Sequence, residues 1–210
     1  MDALAATLTG LDYAAVAVFG ASGALGAARK KHDIITFGFF AAVTGVGGGT
    51  LRDLLIGAPV FWVGRPGYVA VCLVAALAIW IFGWGRTRDR LLLWLDAIGM
   101  AAYAVVGALK ASSLGVPPFS AVVMGVLTAA FGGVIRDVLA GEPSVLLRRE
   151  LYITPALLGA AVFVGLDALG LSALASGLAG FVVAFALRAG AIVFGWQAPG
   201  FPGRGPPPEA

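Results

Sequence analysis

Apolar residues run in long segments along this chain, and short clusters of polar and charged residues separate them. A segment of roughly 20 mostly apolar residues is long enough for an α-helix to cross a bilayer. The strict alternation of a membrane β-barrel is absent. The pattern therefore predicts an all-α integral membrane protein. Its seven transmembrane helices are expected at 10–28, 34–57, 67–85, 91–111, 118–141, 151–169 and 171–194.

The composition supports this class and excludes others. Of the 210 residues, 60% are hydrophobic and only 12% are charged. A soluble domain of this size cannot bury so much apolar surface. One histidine and one cysteine rule out the usual metal sites built from these residues, and no nucleophile–base pair is available. We therefore expect no enzyme, no metal site and no bound cofactor.

The basic residues mark the orientation of the helices, because membrane proteins concentrate lysine and arginine on the cytoplasmic side. With the N-terminus outside, ten of the 14 bases fall inside, and Arg65 and Lys110 fall outside. The inside set is Arg29, Lys30, Lys31, Arg86, Arg88, Arg90, Arg148, Arg149, Arg188 and Arg204. This placement predicts a cytoplasmic C-terminus, and it argues against a nucleic-acid partner despite the positive net charge.

The C-terminal segment 196–210 is rich in proline and glycine. Such composition predicts a disordered tail, here on the cytoplasmic side. The segment 1–195 then forms a single transmembrane domain.

The chain contains an internal repeat, which is seen when the sequence is aligned with itself so that position 11 matches position 95. Between 11–59 and 95–143, 15 of 49 positions are identical without a gap. Apolar helices share alanine and leucine by chance, but this match extends to charged residues: Asp12 with Asp96, Arg52 with Arg136, and Asp53 with Asp137. Each copy, about 10–85 and about 91–169, holds three helices. Because three is odd, we expect two inverted three-helix repeats, followed by a seventh helix at about 171–194.

Glycines interrupt the middle of the second and fifth helices of this prediction. Each interior glycine costs a helix about 1 kcal/mol relative to alanine, so a run of them favours a break. Broken backbone is tolerated in a membrane only against protein or water. We therefore expect a polar pathway at the midplane, although close helix packing is the alternative. The glycines concerned are Gly47, Gly48, Gly49, Gly132 and Gly133.

Charged residues lie just beyond these glycines, within the same two apolar segments. Arg52 and Arg136 each lie one helical turn after a glycine and share its helix face. Charges inside a membrane are functional by default, although structural ion pairs between the repeats are the alternative. Asp53 and Asp137 belong to the same predicted pathway. The repeat also predicts two equivalent ion pairs, Asp12–Arg52 and Asp96–Arg136.

Three more polar residues complete the predicted pathway. Thr44 and Thr128 either offer hydroxyl groups to it or bond back to their own helices. Lys110 has no basic counterpart, because Gly26 occupies the equivalent position. It either snorkels to water or places a positive charge at an outer pore mouth.

The two glycine-rich Arg-Asp motifs resemble those of the prokaryotic trimeric intracellular cation (TRIC-type) channel family, which is also labelled a glycine transporter family. The motifs are Gly47–Leu55 (GGGTLRDLL) and Gly132–Leu139 (GGVIRDVL). The similarity runs from about position 11 to 194 and includes Ala21–Leu25, Ala58–Trp62, Val105–Lys110 and Gly141–Pro143.

This resemblance implies a homotrimer of seven-helix protomers in the plasma membrane, in contact with membrane lipids. It implies a pore in each protomer, lined by kinked helices 2 and 5, that conducts monovalent cations. K⁺ is then the permeant ion rather than a cofactor. A secondary transporter of a small amino acid such as glycine is the alternative, because a broken helix N-terminus beside an arginine suits a carboxylate.

The orientation can be tested with reporter fusions. A reporter that is active only in the cytoplasm, fused after Ala210, is expected to give full signal because the C-terminus lies inside. The same reporter fused after Arg65, in a predicted outer loop, is the matched control and is expected to be silent. Activity at Ala210 of a reporter that works only outside the membrane would contradict the seven-helix topology.

Overall fold

The computed structural model describes residues 3–82, 85, 88–147 and 150–199. Within these ranges the chain forms seven α-helices, one 3₁₀ turn at Val145–Leu147, and no strand beyond an isolated bridge. The helices are α1 (Ala3–Arg29), α2 (Ile34–Leu55), α3 (Gly67–Phe82), α4 (Arg88–Ser113), α5 (Pro118–Leu139), α6 (Ile153–Ala168) and α7 (Ala173–Phe194). The prediction of an all-α chain with seven helices is confirmed.

The helices differ in their ability to span a membrane. In the described part of the chain, α2, α5, α7 and the Asp89–Ser113 part of α4 are long and apolar enough. The helices α3 and α6 have 16 residues each, which gives a length of about 24 Å, against about 30 Å for the hydrocarbon core of a bilayer. They are shorter than the predicted spans 67–85 and 151–169, and they hold the third position of each repeat.

Local chemistry fixes where several helices begin and end. Asp33 caps α2 by accepting a hydrogen bond from the backbone N–H of Thr36 at 2.8 Å, and this bond lowers the pKa of the Asp33 carboxyl. Ser172 caps α7 in the same way, and α5 begins at Pro118, whose fixed φ suits a first turn. Gly195 ends α7 with a φ of 68°, a left-handed conformation that glycine adopts without strain.

The helices pack in two similar groups of three. The helices α1, α2 and α3 contact one another, and α4, α5 and α6 do the same. The groups meet mainly through α2 against α5 and α1 against α4. The seventh helix packs on α4 and α6, so it adds to the second group only. Because α7 packs on one group only, the two three-helix groups differ in their surroundings.

The crossing of α2 and α5 brings two backbones into contact. A Cβ added to Gly48 would overlap the carbonyl oxygen of Thr128, and one added to Gly132 would overlap the carbonyl oxygen of Thr44. The two contacts are equivalent, because Gly48 corresponds to Gly132 and Thr44 to Thr128 in the internal repeat. In α2 Gly48 follows Thr44, whereas in α5 its contact Thr128 precedes Gly132. The two helices therefore run antiparallel where they cross.

The glycine runs do not break their helices. The helices α2 and α5 are continuous from Ile34 to Leu55 and from Pro118 to Leu139. The glycines predicted to break these helices are Gly47, Gly48, Gly49, Gly132 and Gly133. None of them has a positive φ. The prediction of broken helices is therefore wrong for this structure, and the packing alternative is right at the crossing. A residue without a side chain lets two helices approach closely while each keeps its internal hydrogen bonds.

The surface of the molecule is apolar and several charges are internal. Ile35 and Phe119 are 79% and 81% exposed, whereas Arg136 is 1% exposed. This arrangement suits a protein surrounded by lipid. The predicted tail lies mostly outside the described residues, and within its described start Gln197 forms a backbone bridge with Glu150.

The close crossing predicts a specific sensitivity to added volume. Replacing Gly48 by alanine is expected to lower stability by about 1–3 kcal/mol, the usual effect of overpacking. Gly165, in α6, is the matched control, since no atom lies within 4 Å of its Cβ position. Alanine there is expected to raise stability by about 0.5–1 kcal/mol. Thermal melting in detergent measures both variants, and a Gly48→Ala protein as stable as the wild type would contradict the crossing.

Candidate functional site

Two clusters of buried charge flank the α2–α5 crossing. The repeat-1 cluster contains Arg52, Asp53 and Lys110, and the repeat-2 cluster contains Arg136, Asp137, Asp96 and Ser22. Each arginine lies one helical turn beyond a crossing glycine, which places it at one end of the contact between the helices. Because the helices are antiparallel, the two clusters lie at opposite ends.

The repeat-1 cluster is built around the Asp53 carboxylate, which is fully buried. Arg52 donates from Nε to Asp53 Oδ1 at 2.9 Å, and its Nη2 lies 2.8 Å from the same oxygen. Lys110 reaches across from α4 and donates to Asp53 Oδ2 at 2.8 Å. Both cations also lie over the ring of Phe61, at 5.9 and 5.8 Å from its centroid. The cluster therefore holds two positive charges on one carboxylate.

The repeat-2 cluster is built around the Arg136 guanidinium instead. Its Nε donates to Asp137 Oδ1 at 2.9 Å, in the same geometry as the first cluster. Its Nη1 contacts Asp96 Oδ1 on α4 at 2.6 Å and the Ser22 hydroxyl on α1 at 2.7 Å. One arginine thus joins three helices, and it carries two carboxylates.

A backbone amide anchors the second oxygen of each cluster's aspartate. Phe61 donates its N–H to Asp53 Oδ2 at 2.9 Å, and Val145 donates to Asp137 Oδ2 at 3.0 Å. Phe61 and Val145 are themselves equivalent positions of the two repeats. In both repeats the loop after the helix folds back on the Arg-Asp motif and fixes its carboxylate, which explains why the repeat extends past the helix to the Gly-x-Pro turn.

The two clusters lie well apart along the crossing. Gly132 is level with Thr44, so Arg136 lies level with position 40 of α2, about twelve residues from Arg52. At the helical rise per residue this corresponds to about 18 Å. This span fits inside a hydrocarbon core of about 30 Å. Each arginine is neutralised by the aspartate that follows it, and such pairing is what burial of a charge in this environment requires.

Only one of the two predicted cross-helix ion pairs is present. The Asp96–Arg136 pair is formed, at 2.6 Å. No ion pair joins Asp12 to Arg52 in the described part of the chain, so this prediction is wrong. Asp12 accepts a hydrogen bond from the Tyr68 hydroxyl at 2.6 Å instead, and Arg52 pairs with its own neighbour in α2.

The remaining predicted site residues lie at helix contacts. Thr44 and Thr128 are 1% exposed and pack against Gly23 and Gly107. The Thr128 hydroxyl bonds back to the Met124 carbonyl oxygen at 2.6 Å. The flanking glycines face neighbouring side chains, Gly47 towards Ile135, Gly49 towards Phe61, and Gly133 towards Tyr152. Lys110 is bound to Asp53 rather than extended into water.

Arg188 is a functional candidate whose burial the charge pattern does not reveal. The sequence analysis counts it among the cytoplasmic bases, and in the structure it is 0% exposed on α7. Its Nη1 donates to the Leu151 carbonyl oxygen at 3.0 Å and lies 3.3 Å from Glu150. Its guanidinium also stacks over the ring of Tyr152, 5.1 Å from the centroid. The sequence feature that indicates a buried role for Arg188 is its position inside an otherwise apolar helix. The predicted inside bases Arg86, Arg148, Arg149 and Arg204 lie outside the described residues.

A cavity of about 530 Å³ opens beside the repeat-1 cluster, between α1, α4 and α7. Most of its wall is apolar. Asp12, Arg65, Tyr68 and Lys110 supply polar groups to this wall. Because Lys110 belongs to both the wall and the cluster, the repeat-1 cluster borders an open space.

A family model described as "Glycine transporter" matches this chain twice, at residues 9–84 and 93–168. The two matches begin at equivalent positions of the two repeats, so each repeat is matched separately. The chain is 36% identical over 196 residues to a UPF0126 membrane protein of Vibrio cholerae, covering 91% of this chain and 81% of that protein. It is 40% identical over 157 residues to the inner membrane protein YadS of Escherichia coli, covering 72% and 75%.

One solved structure is especially similar. It is the trimeric intracellular cation (TRIC) channel orthologue from Rhodobacter sphaeroides, with 50% sequence identity and a TM-score of 0.88. The alignment covers 90% of this chain and 99% of that one. The similarity therefore extends over most of this chain and nearly all of that one.

The unequal ion pairs predict unequal effects at equivalent positions. Asp96→Asn is expected to cost about 1.5–3 kcal/mol of stability, because the buried Arg136 keeps Asp137 but loses a charge-assisted hydrogen bond to α4. Asp12→Asn is the matched control, and it is expected to cost about 1 kcal/mol, because an amide oxygen still accepts from Tyr68. Melting temperatures in detergent measure both, and equal losses would contradict the assignment of the ion pair to one repeat only.

Proposed function

The chain belongs to the glycine transporter family of TRIC-type membrane proteins, and we propose that it is a channel for monovalent cations, chiefly K⁺. The pathway runs through each protomer along the contact between α2 and α5. The observation that carries this proposal is the pair of buried charge clusters at opposite ends of that contact. An ion that crosses the protein along this line meets fixed charges at both ends and small residues between them.

The glycine crossing makes this contact suitable for opening. Thr44, Thr128, Gly48 and Gly132 meet through backbone atoms, so no large side chain has to leave before the helices separate. In the present structure the contact is closed. A small separation of α2 and α5 exposes carbonyl oxygens, which are ligands that K⁺ accepts.

The aspartates answer the objection that arginines in a pore repel cations. Arg52 and Arg136 each pair with the carboxylate of the next residue. Lys110 shares Asp53 with Arg52, so the repeat-1 cluster keeps one net positive charge. The repeat-2 cluster has two carboxylates for one arginine, and this excess of negative charge favours cations. Asp53, Asp137, Gly47, Gly49, Gly133 and Lys110 complete the proposed lining.

The wider architecture of the proposal is a homotrimer in the plasma membrane with inverted repeats. The reciprocal contacts of α2 and α5 support a two-fold relation between the repeats, since each contact is exchanged for its partner. Three helices per repeat give the inversion. The similarity to TRIC channel structures supports the trimer, and the inner membrane relative supports the location. The N-terminus is placed outside and the C-terminus inside.

The alternative function is secondary transport of a small amino acid such as glycine. Its support is the description of the family model. Its chemical argument required a broken helix N-terminus beside an arginine to hold a carboxylate. Because α2 and α5 are unbroken, no such terminus lies next to Arg52 or Arg136, so this structure favours the channel.

Reconstitution of the purified protein into a planar bilayer under a KCl gradient tests the proposal. A channel is expected to give discrete unitary currents that reverse near the K⁺ equilibrium potential. Addition of glycine to either side is the control, and it is expected to leave these currents unchanged.

A bilayer without unitary currents, together with saturable glycine uptake by liposomes of the same preparation, would contradict the channel and support the transporter. Currents that reverse near the Cl⁻ equilibrium potential would contradict cation selectivity, since they would show that the buried cations rather than the carboxylates set the ion preference.

A further inference from the structure

A unit of one aspartate, one arginine and one tyrosine occurs twice in the molecule. Asp12, Arg52 and Tyr68 form the first copy, and the equivalent positions of the other repeat form the second: Asp96, Arg136 and Tyr152. In both copies the aspartate comes from the first helix of its repeat and the arginine from the second. The tyrosine comes from the start of the third helix or the residue before it. The two copies hold the same groups in different hydrogen-bond states.

In the first copy the aspartate is bound by the tyrosine. The Tyr68 hydroxyl donates to Asp12 Oδ2 at 2.6 Å. Arg52 is paired with Asp53, which follows it in the chain. Asp12 therefore uses Tyr68 where its counterpart uses an arginine, and Arg52 uses its own neighbour in α2.

In the second copy the aspartate is bound by the arginine. Arg136 Nη1 contacts Asp96 Oδ1 at 2.6 Å. The Tyr152 hydroxyl is buried and lies beside Asp96 near Gly133, but its contact with the carboxylate falls short of hydrogen-bond geometry in the described part of the chain. Asp96 is thus within reach of the tyrosine that its counterpart uses in the first copy.

One pair of equivalent residues explains the difference. Ser22, on α1, accepts a hydrogen bond from Arg136 Nη1 at 2.7 Å, on the same nitrogen that contacts Asp96. The equivalent position of the second repeat is Val106, on α4, whose side chain has no acceptor. A hydrogen bond from a charged group is stronger than one between neutral groups. Arg136 is therefore held against Asp96 with the support of Ser22. Arg52 pairs with Asp53 on its own helix, and the position equivalent to Ser22 is a valine there.

We infer that each unit is a two-position latch, in which an aspartate binds either the arginine or the tyrosine, and that positions 22 and 106 decide between the two. This inference rests on the proposed function, because it assigns the latches to the two ends of the same pathway. The repeat-2 latch is engaged, and its arginine joins α1, α4 and α5. The repeat-1 latch is disengaged, and the Lys110–Asp53 contact joins α4 to α2 there.

The consequence is that the two ends of the pathway open unequally. Movement at the repeat-2 end requires Arg136 to leave both Asp96 and Ser22, whereas the repeat-1 end requires the partly exposed Lys110 to leave Asp53. Ser22, Val106, Tyr68 and Tyr152 are positioning residues in this scheme. They act through the arginines and aspartates rather than on the ion.

Exchanging the side-chain chemistry at positions 22 and 106 tests the latch. Ser22→Ala removes the hydroxyl with little change of volume and is expected to shift the repeat-2 latch towards Tyr152 by about tenfold, the effect of one hydrogen bond to a charged group. Val106→Thr adds a hydroxyl at nearly the same volume and is expected to bring Arg52 within about 4 Å of Asp12, the distance of an ion pair. Ser22→Thr, which keeps the hydroxyl, is the control.

Two measurements are made on each variant. Structures of the reconstituted variants show which partner each aspartate holds, and K⁺ flux into liposomes shows whether the pathway responds. Flux is expected to rise with Ser22→Ala and to fall with Val106→Thr. The double variant combines Ser22→Ala with Tyr152→Phe, which removes the hydroxyl that Asp96 would otherwise bind. Asp96 is then expected to pair with Arg136 again, and K⁺ flux is expected to return to the wild-type value.

The outcomes separate the latch from the channel. If the partners exchange as described but no variant conducts K⁺, the latch stands and the proposed function falls. If neither aspartate changes its partner in either single variant, the latch is overturned, whatever the flux. If Ser22→Thr exchanges partners as Ser22→Ala does, the hydroxyl does not set the position and the inference is again overturned.

Discussion

The close approach of the α2 and α5 backbones at Gly48 and Gly132 is the constraint on which the rest of the structure depends. It is possible only because neither position has a side chain. It fixes the antiparallel crossing, and the crossing in turn carries Arg52 and Arg136 to opposite ends of one line through the domain. A larger residue at either glycine separates the helices and moves both clusters.

Burial of two arginines in an apolar domain then requires local neutralisation, and the chain supplies it in the simplest way. The residue after each arginine is an aspartate, and a backbone N–H in the following loop holds the other oxygen of that carboxylate. This unit is complete within one helix and the loop that follows it. The two repeats therefore fold the same motif in the same way, although their other neighbours differ.

The differences between the repeats arise from single substitutions. Lys110 in place of glycine gives the repeat-1 cluster a second cation, while Ser22 in place of valine gives Arg136 a second acceptor on another helix. The seventh helix adds a further asymmetry, because Arg188 lies against Tyr152 in the second half only. A nearly symmetric scaffold thus carries two chemically distinct ends.

The sequence by itself determined the helical class, the seven helices, the repeat and the charged residues of both clusters, but not Ser22. Long apolar segments, an internal self-similarity and charges inside those segments are properties of the chain alone. The tertiary structure decided what those residues do. Whether a glycine breaks a helix or lets another helix approach depends on what lies opposite, and here that is the backbone at Thr44 or Thr128. In the proposed latch, whether Asp12 or Asp96 binds an arginine depends on Ser22 and Val106, which lie on helices distant in sequence from the Arg-Asp motifs. The burial of Arg188 is decided by the tertiary structure for the same reason, since its partners Glu150 and Leu151 reach it only when α7 packs on the second repeat.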